Sequence, residues 1–142
     1  MKKVLLLGAS GNIGTQVLDI LEKDPLSFSL VGISVGKRIE KIEGILKRFP
    51  SVSFLCLERR EDVPSFKEKY PNLTFFAGED GLLDLIRESN ADMVVNALVG
   101  FVGFIPTITA INAHKDVALA NKESLVVGGE IVNKLLKENN VN

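Results

Sequence analysis

Short apolar runs alternate along this chain with segments of helical period. The runs cover residues 3–8, 28–35, 52–57, 73–76, 92–98 and 116–120. Several are continuously apolar, as strands covered on both faces require. Between them, Ile13, Val17, Ile20 and Leu21 recur on one face of a first helix, and Ile39, Ile42, Ile45 and Leu46 on one face of a second. Leu82, Leu85 and Ile86 mark a short helix, Ile105, Ile108 and Ile111 another, and Ile131, Leu135 and Leu136 a last one. Asp24-Pro25 stops the first helix, and Pro50 and Pro71 punctuate later connections. Residues 61–70 read as a helix with a thin apolar stripe and a broad polar face. Strand–helix alternation with short links predicts an α/β fold, a doubly wound and mostly parallel sheet with helices on both faces.

The first run ends in Gly8-Ala9-Ser10-Gly11-Asn12-Ile13-Gly14, three glycines at spacing three ahead of a helical pattern. Dinucleotide-binding, Rossmann-like sheets need this layout. Gly8 allows the tight turn out of the strand. Gly11 has no side chain, so backbone can approach a pyrophosphate. Gly14 lets the helix pack close to the strand, and the helix N-terminus aims free N–H groups at the phosphates.

A nicotinamide dinucleotide lacking the 2′-phosphate is read by an acid about 20 residues past the glycines, at the end of the second strand. Counting from Gly14 reaches Ser34, in Ile33-Ser34-Val35-Gly36-Lys37-Arg38, a stretch without a carboxylate. Lys37 and Arg38 would instead attract a 2′-phosphate, with Arg able to bind it through two parallel hydrogen bonds. This favours NADP(H) over NAD(H). Otherwise the two cations simply begin a solvated helix.

Two later stretches fall at strand ends. Asn96-Ala97-Leu98-Val99-Gly100-Phe101-Val102-Gly103 is either a turn near the nicotinamide or a plain strand–helix loop. Val117-Ala118-Leu119-Ala120-Asn121-Lys122-Glu123-Ser124 places an amide, a cation, an acid and a hydroxyl in succession at a sheet edge. Asn121 can donate and accept, Lys122 can hold a phosphate or polarise a hydroxyl, and Glu123 can accept from a ribose. The same residues would also serve as a helix start capped by Asn121.

Composition adds limits. The 142 residues suit one domain, 46% hydrophobic and 25% charged, with a formal net charge of −1. That balance points to no nucleic-acid or membrane partner. The lone cysteine, Cys56, allows no disulfide within the chain and reads as a small buried hydrophobe, consistent with a cytoplasmic protein. The start Met1-Lys2-Lys3 is followed by an apolar run too short for a signal peptide. The sole histidine, His114, sits near the end of a predicted helix as a structural or surface residue. Lys-Leu-Leu-Lys-Glu-Asn-Asn-Val-Asn at the end reads as a helix, a loop and the beginning of a strand. It suggests the N-terminal portion of a longer protein.

Gly8–Gly14, Gly36-Lys37 and above all Ala118-Leu119-Ala120-Asn121-Lys122-Glu123-Ser124-Leu125-Val126 resemble the 1-deoxy-D-xylulose 5-phosphate reductoisomerase family. The resemblance covers residues 1–142 as that family's N-terminal, NADPH-binding domain, without its catalytic and C-terminal domains. It implies a cytoplasmic, homodimeric enzyme of the non-mevalonate route to isoprenoids. That enzyme rearranges and reduces 1-deoxy-D-xylulose 5-phosphate to 2-C-methyl-D-erythritol 4-phosphate, using NADPH and a divalent metal (Mg, Mn or Co). By position it implies NADPH contacts at Ser10, Gly11, Asn12, Ile13, Gly36, Lys37, Arg38, Asn121 and Glu123, and a substrate contact at Lys122. Catalytic and metal-binding residues are implied elsewhere, so residues 1–142 alone are expected to be inactive. The family usually has Thr at position 10, Ser at 12 and often Asn at 38. The departures Ser10 and Asn12 keep polar groups, and Arg38 should strengthen a 2′-phosphate contact. Homoserine and aspartate-semialdehyde dehydrogenases share the glycine spacing, the latter with a nucleophilic cysteine, and a non-enzymatic NADP(H)-sensing module is a further alternative.

Overall fold

Strand β1 (Lys2–Leu7) lies near the middle of the sheet because four consecutive residues, Val4 to Leu7, are fully buried. Only a strand covered on both faces can accept such a run. A computed structural model describes residues 2–98 and 104–119. After β1 come α1 (Asn12–Lys23), β2 (Phe28–Val35), a 3-10 turn (Ile39–Lys41) and α2 (Ile42–Arg48). Then follow β3 (Phe54–Leu57), a second 3-10 turn (Arg60–Asp62), α3 (Val63–Lys69), β4 (Thr74–Ala77) and α4 (Gly78–Glu88). The described part closes with β5 (Met93–Asn96), α5 (Phe104–Asn112) and β6 (Asp116–Leu119). The predicted helix at 131–136 lies outside the described residues.

The six strands form one sheet in the order β4-β3-β2-β1-β5-β6, and every pairing is parallel. The chain winds outward from β1 to β4, then returns to lay β5 and β6 on the other side of β1. Between β1 and β5 the winding reverses, and open α/β sheets bind ligands at the carboxyl ends of the strands at such a point. Val4 and Leu6 pack with Leu18, Leu21, Ile42 and Ile45 on one face. Leu5 and Leu7 pack with Leu85, Ile86, Ala110 and Ile111 on the other. Helices α1 and α2 thus cover one face, and α4 and α5 the opposite one, as the doubly wound reading requires.

Three details depart from the predicted pattern. In α1 the buried residues are Gly14, Leu18 and Leu21, and Ile20 is 63% exposed. At 3.6 residues per turn Leu18 and Leu21 flank Gly14 closely while Ile20 lies about 120° away, so the buried stripe centres on Gly14 and leaves Ile20 outside. In α5 Ile105 is 61% exposed, while Thr107, Ala110 and Ile111 are buried. In β2, Val4 pairs with Leu30 but Leu5 with Gly32. Val31 is a bulge residue, which sends Leu30 and Ile33 to the same face. Helix α3 buries no residue, in keeping with its thin apolar stripe.

The end of α5 explains the histidine. His114 has φ 59, its N–H donates to the Ile111 carbonyl at 3.0 Å, and the Lys115 N–H donates to the Ala110 carbonyl at 3.1 Å. This pair of bonds is the Schellman arrangement, with His114 in the left-handed position that glycine favours. The next side chain, Lys115, is buried and donates through Nζ to the carbonyls of Ser89 at 2.9 Å and Ala91 at 2.8 Å. Burial holds its pKa below the usual lysine value, opposed by the Asp92 charge. Replacing His114 with glycine is expected to stabilise the fold by about 1 kcal/mol, the left-handed penalty of a side chain. Urea denaturation at neutral pH measures it, and a destabilised His114→Gly protein would show that the imidazole makes a contact worth more than the strain.

Candidate functional site

The glycine turn is built as its spacing predicts. Gly8 adopts φ +80, and a Cβ there would lie 3.1 Å from the Ala97 carbonyl oxygen. Gly8 therefore sits tightly between the ends of β1 and β5, at the reversal point. A Cβ on Gly14 would lie 2.0 Å from the Gly8 carbonyl oxygen, so α1 starts in direct contact with the turn. A Cβ on Gly11 would meet only that same oxygen, at 3.7 Å. Gly11 and Asn12 are exposed, and Ile13 is half-buried against the core. The space in front of α1 is thus open, and no side chain caps the helix there. Its first turn contains no acidic residue. Uncapped N–H groups at the positive end of a 12-residue helix, behind a side-chain-free approach, fit a bound phosphate.

Two serines tie this turn to the end of β2. Ser34 is buried, and its Oγ accepts from the Gly8 N–H at 2.8 Å while its carbonyl accepts from the Ala9 N–H at 2.9 Å. Ser10 is buried as well. Its Oγ accepts from the Gly36 N–H at 3.3 Å, and its carbonyl accepts from Lys41 Nζ at 3.0 Å. The loop that carries Gly36, Lys37 and Arg38 is therefore held against the glycine turn, with Lys37 and Arg38 exposed. The Ser10 hydroxyl accepts this bond and so joins the two loops, and its own O–H is left to donate toward a phosphate. Ser34, the position that counting from the glycines reaches, thus props Gly8, a role no local pattern encodes. Lys41 was missed, although its place three residues after Arg38, across a 3-10 turn, sets both on one side.

A cavity of about 450 Å³ opens at the carboxyl ends of the strands, lined among others by Gly8, Ser34, Gly36, Glu58, Glu79 and Leu82. The size suits a small-molecule site. β2 ends without an acid, but β3 delivers one: Glu58 Oε2 lies 4.0 Å from the position of a Cβ on Gly36. Cys56 also lines this cavity, and burial pushes its thiol up to about 12. It is thus a neutral, small, buried residue at ordinary pH and does not have the character of a nucleophile. Asn96, at the end of β5, is buried. Its Nδ2 donates to Thr107 Oγ1 at 2.8 Å, and its Oδ1 accepts from the Leu98 N–H at 3.0 Å. These bonds fix the start of the connection to α5. Residues 99–103, including Gly100 and Gly103, and the residues Asn121, Lys122 and Glu123 lie outside the described residues. Among the described residues, no group of three His, Cys, Asp or Glu side chains could hold a metal ion, and no helix is long and apolar enough to cross a membrane.

Comparison with known proteins bears on this geometry. The family model for 1-deoxy-D-xylulose 5-phosphate reductoisomerase matches residues 4–129. A reductoisomerase of that name from Clostridium kluyveri is 45% identical over 145 residues, covering 99% of this chain and 37% of that protein. The chain thus spans little more than a third of the length of the curated relatives it matches. Among solved structures, the Zymomonas mobilis reductoisomerase in complex with NADPH superposes with a TM-score of 0.79 at 27% identity, over 99% of this chain and 37% of that one. A reductoisomerase bound to NADPH, fosmidomycin and magnesium gives 0.82 at 27% identity, over all of this chain and 35% of that one. The Staphylococcus aureus homoserine dehydrogenase, at 22% identity and a TM-score of 0.57, shares the fold alone.

Proposed function

The chain belongs to the 1-deoxy-D-xylulose 5-phosphate reductoisomerase family, and we propose that it forms the NADPH-binding part of that enzyme. The full-length protein is then an NADPH-dependent oxidoreductase of the non-mevalonate route to isoprenoids. It rearranges 1-deoxy-D-xylulose 5-phosphate and reduces the resulting aldehyde to 2-C-methyl-D-erythritol 4-phosphate. The observation that carries the reading is the uncapped N-terminus of α1, open above Gly11 and bridged through Ser10 to the exposed cations Lys37 and Arg38.

In this reading the N–H groups of Asn12 and Ile13 meet the pyrophosphate, and Gly11 leaves room for it. Lys37 and Arg38 receive the 2′-phosphate, and Gly36 shapes the loop that presents them. The cavity beside Gly36 and Glu58 takes the adenosine end. Ser34 holds Gly8 in its turn, so the reversal point stays open for the nicotinamide half. Asn121 and Glu123 complete the cofactor contacts, and Lys122 reaches toward the substrate phosphate or hydroxyl. NADPH, when bound, supplies hydride to the aldehyde carbon, and this part of the protein fixes its distance and facing side. The full-length enzyme also uses a divalent ion (Mg, Mn or Co), for which the described residues offer no group of three His, Cys, Asp or Glu side chains. Residues 1–142 thus form one NADPH-binding domain, followed in the full-length protein by catalytic and C-terminal domains. A cytoplasmic location and a homodimeric full-length enzyme are parts of the same reading, supported by family membership alone.

Two titrations test it. By calorimetry, the chain is expected to bind NADPH at least about tenfold more tightly than NADH, roughly 1.4 kcal/mol, with no turnover of substrate by residues 1–142. Equal or tighter NADH binding removes the 2′-phosphate assignment, and turnover by the chain alone removes the division of labour.

A further inference from the structure

Lys41 is the half-buried cation whose ammonium points at the glycine turn, 3.0 Å from the Ser10 carbonyl oxygen. Among the described residues it makes no ion pair, whereas Lys2, Arg48, Arg59, Lys69 and Arg87 each pair with a carboxylate. The acids closest to it in sequence are turned to other work. Glu43 is engaged by Lys69, and Glu40 lines a separate groove with Ile39, Ser65 and Phe66. Glu58 beside Gly36, with Glu79 lining the same cavity, opposes an anion there.

Resting on the NADPH reading above, we infer that Lys41 is a specificity-determining positioning residue that makes this site prefer the 2′-phosphorylated dinucleotide. Two physical effects combine. A phosphate monoester carries close to two negative charges at neutral pH, and Lys41, one 3-10 turn after Arg38 with its ammonium at the glycine turn, adds a third positive charge to those of Lys37 and Arg38, against the negative charge of Glu58. Its bond also fixes the Ser10 carbonyl, a partial negative charge in the turn that faces the phosphates. The Gly36 N–H bond to Ser10 Oγ holds the same residue from the other side. Ser10 is therefore clasped by the loop that selects the 2′-phosphate, and Lys41 is the charged half of that clasp.

The test uses the full-length protein and four probes: NADPH, NADH, adenosine 2′,5′-bisphosphate and ADP, titrated by calorimetry. Lys41→Gln and Lys41→Met are each expected to weaken NADPH and the bisphosphate at least about fivefold while changing NADH and ADP less than about twofold. Lys41→Arg is expected to restore the ratio. Equal weakening of all four probes would make Lys41 only a scaffold of the turn and overturn the inference, as would a ratio left unchanged in both neutral variants. If the unsubstituted protein itself shows no preference for the 2′-phosphorylated probes, the cofactor reading falls and Lys41 falls with it. If that preference is present and survives in Lys41→Gln and Lys41→Met, only the inference about Lys41 falls.

Discussion

Replacing Gly14 with alanine is expected to destabilise the fold by about 3 kcal/mol and to abolish measurable NADPH binding. Helix propensity alone predicts the opposite sign, since alanine within a helix is favoured over glycine by up to about 1 kcal/mol. Sterics decide. The new Cβ would lie 2.0 Å from the Gly8 carbonyl oxygen and 2.9 Å from the Ala9 Cα. Both are backbone atoms and cannot rotate away. Gly8 is itself held at φ +80 against Ala97, so the turn cannot retreat without disturbing β5. Either α1 lifts from the sheet and loses the burial of Leu18 and Leu21, or the turn that faces the phosphates is rebuilt. Overpacking of this kind costs about 1–3 kcal/mol and occasionally more, and contact with backbone rather than side chain sets it at the upper end. Gly44 is the internal control. It lies inside α2, and a Cβ there meets nothing within 4 Å. Gly44→Ala is expected to stabilise by about 0.5–1 kcal/mol. Urea melts of both variants beside the unsubstituted protein settle the matter. A Gly14→Ala protein as stable as Gly44→Ala would refute the close approach of α1 to the turn.

Local pattern accounts for what was legible in the sequence. Burial on both faces makes a strand read as a continuous apolar run, so β1 and β2 were found nearly residue for residue. Glycine has no substitute in a left-handed turn or a helix–turn contact, so Gly8 and Gly14 announced their positions. Periodicity could not tell which of several apolar residues at a helix edge faces the sheet, and Ile20 and Ile105 were placed inward when they point out. That depends on the angle at which the helix meets the strands, which no residue encodes alone. The β2 bulge at Val31 was equally hidden, because it arises from pairing with β1. The site divides along the same line. The placement of Gly11, Lys37 and Arg38 in loops at strand ends was legible because each follows an apolar run in the sequence. Glu58 and Lys41 reach the site from β3 and from the far side of the 3-10 turn, and only the topology brings them to Gly36 and Ser10. The Asn121–Glu123 stretch carried the most specific resemblance in the sequence, and the family match extends to residue 129. Its geometry lies outside the described residues.

Removing both exposed cations in Lys37→Gln/Arg38→Gln is expected to weaken NADPH binding about 30-fold, or about 2 kcal/mol, and to leave NADH binding within about twofold. A hydrogen bond to a charged group is worth about 1.5–3 kcal/mol when shielded. Lys37 and Arg38 are solvent-exposed, so screening reduces the sum well below twice that figure. The remaining binding comes from groups the substitution does not touch, the N–H groups at the start of α1, Lys41 and the walls of the cavity. Stability should change by less than about 0.5 kcal/mol, because neither cation makes an ion pair among the described residues. Ionic strength separates charge from shape. In the unsubstituted protein NADPH affinity is expected to fall as salt rises, since the 2′-phosphate is met at the surface, and in the double variant that slope should flatten toward the one shown by NADH. Were the double variant to lose NADPH and NADH in equal measure, Lys37 and Arg38 would be supporting the loop rather than reading the phosphate. The charge that favours NADPH would then have to come from Lys41 and the start of α1.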